Sequence, residues 1–60
     1  MSGKEFADNC RGVAKCLNVL ADQAEGAGDA APEWQAGTKA ETMGMLIDLA
    51  SDFGKIKEDS

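Results

Sequence analysis

Histidine and tyrosine are absent from this 60-residue chain, cysteine occurs twice, proline once, and the aromatic residues are Phe6, Trp34 and Phe53. Each shortage excludes something. Without histidine, a cysteine nucleophile has no imidazole to activate it. Cys10 and Cys16 alone fall short of the four ligands of a structural zinc site. The inward Glu-x-x-His pairs that build di-metal centres in helical bundles cannot form either. On a helix, six residues set the two thiols roughly 120° apart around the axis and about 9 Å along it, too far for an internal disulfide. Free thiols in a reducing cytosol are expected. No catalytic, cofactor-binding or metal-binding residues are assigned, and the chain is expected to be no enzyme.

Positive charge is also scarce, with six basic side chains against eleven acidic ones and a formal charge of −5. Ordinary duplex binding needs a basic patch to neutralise phosphates, so nucleic acid is an unfavoured partner. No apolar run approaches the ~20 residues of a membrane span. Lys4, Glu5, Asp8 and Arg11 occupy the place where the apolar core of an export signal would run. A cytoplasmic location without membrane association is expected.

What the chain does contain is helical periodicity. Ser2-Gly-Lys-Glu5 fits a capping box. Phe6, Cys10, Val13, Leu17, Leu20 and Ala24 then recur at alternating spacings of four and three, the seam of a left-handed helix pairing. Ala7, Ala14 and Ala21 follow the seam at intervals of seven, where small side chains admit a close neighbour. Gly26 and Gly28 supply C-terminal stops. These signals predict a first helix over 3–25 and a turn over 26–31. Pro32 suits the first position of a second helix, predicted over 32–57 with a soft point at Gly37. The alternative start is Thr38, which opens a second capping box ending at Glu41. The tail at 57–60 is expected to fray.

The second helix carries an apolar face of Met43, Leu46, Ile47, Leu49, Ala50, Phe53 and Ile56, with Glu41, Asp48, Asp52 and Lys55 opposite. Sixty residues allow one domain, here a single all-α helical hairpin over 1–60. A core this small is marginal alone and is usually supported by disulfides, metals or oligomerisation. A metal site and an internal disulfide are excluded above, which leaves a bridge between two chains as the one disulfide open. On the first helix, Cys16 and Val19 widen the apolar surface to roughly 240° of the cylinder, far more than the ~100° stripe one neighbour requires. Packing Val13, Leu17 and Leu20 on Leu46, Ala50 and Phe53 would leave Cys16, Val19, Met45, Leu49 and Ile56 short of cover. The expectation is a homodimeric four-helix bundle. Its core and interface draw on Phe6, Cys10, Val13, Cys16, Leu17, Val19, Leu20, Met43, Leu46, Leu49, Ala50, Phe53 and Ile56.

Trp34, Glu41, Asp48 and Asp52 are the candidate contacts to a different protein. Tryptophan is enriched at binding hot spots, and it also closes the open end of small cores. The segment Pro32-Glu-Trp-Gln-Ala-Gly37 resembles the Trp-x-Gly turn of the WXG class of secreted hairpins, but its glycine falls one place late and the chain is much shorter, so no relationship is drawn from it. Asp22, Glu25, Asp29 and Glu33 cluster near the turn without the ligand pattern of a calcium-binding loop.

The leading function is a non-enzymatic interaction or regulatory module acting as a helical dimer. One alternative is an acidic inhibitor or antitoxin-like partner filling the basic groove of a nucleic-acid enzyme through Glu41, Asp48 and Asp52. The other draws on Lys4, Arg11 and Asn18, spaced by seven on the outer face with Lys15 beside Arg11. In overall plan this hairpin resembles the Rop class of RNA-binding plasmid regulators, a likeness of architecture without a shared motif. It implies RNA binding through the first helix.

Overall fold

Ser2 opens the first helix through its side chain, in extended geometry (φ −79°, ψ 163°), its Oγ accepting the Glu5 backbone N–H at 3.1 Å. One of the four N–H groups left bare at a helix start is thereby satisfied. The computed structural model describes residues 1–59, and helix α1 runs from Gly3 to Gly26. The Ala27 N–H donates to the Ala24 carbonyl at 3.1 Å, and Gly28 follows with its N–H on the Glu25 carbonyl at 3.0 Å. Gly28 sits at φ +62°, the left-handed conformation that costs a Cβ-bearing residue most and glycine least.

Helix α2 runs from Ala36 to Gly54, which corrects the predicted span of 32–57 at both ends. Pro32 lies outside the helix, in a segment that is used otherwise. The Trp34 indole N–H donates to Gln23 Oε1 at 2.7 Å, drawing 32–35 back along α1. Gln35 stays extended (φ −62°, ψ 147°), and its carbonyl accepts the Lys39 N–H at 3.1 Å to start the first turn. Thr38 is therefore inside the helix, not its cap, and its carbonyl accepts the Thr42 hydroxyl at 2.9 Å. Gly37 has no positive φ. At the far end the Lys55 N–H reaches back to Ser51 and Asp52, and the Ile56 N–H takes the Phe53 carbonyl at 3.1 Å, a tightened final turn. Residues 57–59 carry no helix, and Ser60, the end of the tail expected to fray, lies outside the described residues.

The two helices form a hairpin without strands among the described residues. Phe6 near the start of α1 meets Phe53 near the end of α2, while Trp34 just ahead of α2 meets Gln23 near the end of α1. The helices are thus antiparallel. Val13 is the one buried side chain among the described residues. The radius of gyration is 14.4 Å, against about 10 Å for a compact domain of this length. The accessible surface is 5071 Å², against roughly 3700 Å² for a typical folded monomer of this mass. No helix among the described residues is long and apolar enough to cross a membrane.

Candidate interaction faces

A rotation of α2 decides which side chains remain outside. Its residues that turn toward α1 are Thr42, Met45, Leu49 and Asp52, all half-buried. At about 100° per residue, this contact line is rotated by about 90° from the expected one through Leu46, Ala50 and Phe53. The expected packing of Val13, Leu17 and Leu20 on those three residues is corrected accordingly. The apolar arc is wider than one neighbour can cover, and the contact settles at its edge.

One flank of the hairpin is consequently apolar and uncovered. On α1 the helical rule turns Ala7, Cys10, Ala14, Leu17 and Ala21 to one side, and on α2 it turns Met43, Leu46, Ile47, Ala50 and Phe53. Because the helices are antiparallel, both sets fall on the same face of the hairpin. Leu17, Leu46, Met43, Ile47 and Phe53 are exposed at 41, 39, 58, 63 and 66%. The Phe6 and Phe53 rings close this flank at the chain-terminal end, with centroids 5.9 Å apart and planes 14° apart. Cys10, Phe6, Leu20 and Leu49 are half-buried, nearer the seam. Ile56 lies past the end of α2, exposed beside Asp52 and Lys57.

The opposite flank has a different character. An open groove of about 410 Å³ runs between the helices here, lined by Asp8, Asn9, Gly12 and Val13 from α1 and by Met45, Asp48, Leu49 and Asp52 from α2. The floor is apolar and the rims carry carboxylates. Of the expected partner contacts, Asp48 and Asp52 meet at this groove, Glu41 is exposed, and Trp34 stands half-buried against α1 by its bond to Gln23. Cys16 and Val19, grouped by sequence with the interface, are exposed and turn by the helical rule to this side, away from Leu17 and Ala21. The exposed pair Arg11–Asp8, at 3.9 Å, is the one ion pair among the described residues and contributes little in water.

The groove was not apparent from the sequence, because its rims unite Asp8 with Asp52 from opposite ends of the chain. The available signal was Gly12, which removes a side chain midway along α1 where the groove opens. The chain matches no protein-family model, and no curated protein or solved structure is significantly similar to it.

Proposed function

We propose that this chain is a small non-enzymatic interaction module of the cytoplasm that acts as a homodimer. Two hairpins would pair through the flank of Leu17, Met43, Leu46, Ala50 and Phe53 into a four-helix bundle. The observation that carries this reading is the size of the uncovered surface. The hairpin exposes about 1300 Å² more than a compact monomer of its mass. Hiding that surplus on two copies removes about 2600 Å² from water, within the range of obligate homodimers. Ala14 and Ala21 on the same flank let a partner helix come close, as bundle packing requires.

Sedimentation equilibrium and thermal melts across a concentration series test the proposal. Folding linked to assembly gives a melting temperature that rises with protein concentration. A monomer at micromolar concentration with a concentration-independent melt overturns it.

A second reading, an acidic partner of a basic protein, is favoured by one observation, the meeting of Asp48 and Asp52 on the groove rim. The RNA-binding reading gains no such support, since Arg11 is directed at Asp8.

A further inference from the structure

We infer that the groove opposite the apolar flank is a docking site for a short basic amphipathic helix of another protein. This rests on the interaction-module reading and names the partner's chemistry, but it does not require the chain to pair with itself.

The floor and the rims of the groove specify different halves of that ligand. Val13, Leu49 and Met45 offer apolar surface, and Gly12 leaves open space above it, since a Cβ built there meets nothing within 4 Å. An apolar side chain seated there leaves water without displacing a protein group. Asp8 lies on the α1 rim, Asp48 and Asp52 on the α2 rim, and no ion pair forms on Asp48 or Asp52 among the described residues. Asp52 is half-buried, so an incoming cation meets its carboxylate in a less screened setting than open water. Lysine or arginine beside an apolar anchor complements Asp48 and Asp52 on the α2 rim, while Asp8 is already met by Arg11 at 3.9 Å. The distance from Met45 to Asp52 is about 10 Å along α2, two helical turns. That admits two turns of a ligand helix, with apolar anchors at i and i+4 and basic side chains on the edge facing α2, a helix-in-groove mode of recognition.

The test uses the full chain and a fluorescent peptide of about 14 residues, long enough for marginal helicity, built of leucine and lysine with leucine at i, i+3, i+4 and i+7. An isomer of identical composition, scrambled so that no apolar face forms, is the reference. Fluorescence anisotropy is expected to show saturable binding of the amphipathic peptide, and binding of the isomer weaker by about tenfold. Gly12→Leu fills the groove and is expected to abolish binding while circular dichroism shows helicity equal to or above the parent. Asp48→Asn with Asp52→Asn is expected to weaken binding by about tenfold. Asp22→Asn, which removes the same kind of charge from the outer side of α1, is expected to leave it unchanged. Equal binding of both peptides, indifference to Gly12→Leu, or equal weakening by Asp22→Asn overturns the inference. Sedimentation of the same samples keeps the two proposals apart. A peptide-binding monomer sinks the dimer alone, and a dimer that ignores the peptide sinks the groove alone.

Discussion

The ring of Phe53 stacks on that of Phe6, centroids 5.9 Å apart, yet Phe53 remains 66% exposed. The offset stack leaves most of the residue open to solvent. Within a lone hairpin, Phe53→Ala removes one aromatic contact and part of one buried surface, about 1 kcal/mol. If a second copy covers the open part, the loss rises to the 3–5 kcal/mol of a core phenylalanine, as an order of magnitude. The larger figure is expected, measured by urea unfolding at a concentration where the parent is dimeric.

Two glycines are expected to respond with opposite signs. Gly44 lies inside α2 with ordinary backbone geometry, and a Cβ there meets nothing within 4 Å. Gly44→Ala is expected to stabilise the chain by up to about 1 kcal/mol through helix propensity. Gly28 holds φ +62°, so Gly28→Ala is expected to destabilise it by about 1 kcal/mol despite the open space around it. Chemical denaturation of both variants reads the pair, and a gain at Gly28 would contradict the left-handed turn.

The bond from Trp34 to Gln23 is short, at 2.7 Å, but exposed. Trp34→Phe keeps an aromatic ring and removes the donor. A cost near the low end of ~0.5–1.5 kcal/mol is expected. A double-mutant cycle with Gln23→Leu isolates the pair. A coupling energy of zero shows that the ring's apolar contact, not its N–H, holds the connecting segment.

Much of this architecture was legible in the sequence. The serine cap, the four-and-three stripe and the paired glycines after it are all local signals, and α1 begins where they place it and ends one residue later, taking in Gly26. The start of α2 was not legible, because two local rules competed for it. Proline at 32 and the threonine box at 38 each announce a start, but the start at Ala36 follows from Trp34 reaching a residue on the other helix. The facing of α2 escaped for a related reason. Periodicity gives the centre of an apolar arc, and an arc this broad can meet its neighbour anywhere along its width. A half-buried Asp52 follows from that freedom, although the residue reads as an outer-face carboxylate.

The hairpin is fastened unequally at its two ends. At one end the helices are joined by the chain itself and by the side chain of Trp34 on Gln23. At the other, one aromatic stack between Phe6 and Phe53 is the named contact. The two helices therefore behave as the arms of a pair of tweezers, hinged near Gly28 and sprung at the phenylalanines. In a lone hairpin, separation is expected to begin at the open end, where no covalent link holds the helices, and to run toward the hinge. The groove between Asp8 and Asp52 lies near the moving tips, and its width is set by how firmly those two rings stay together.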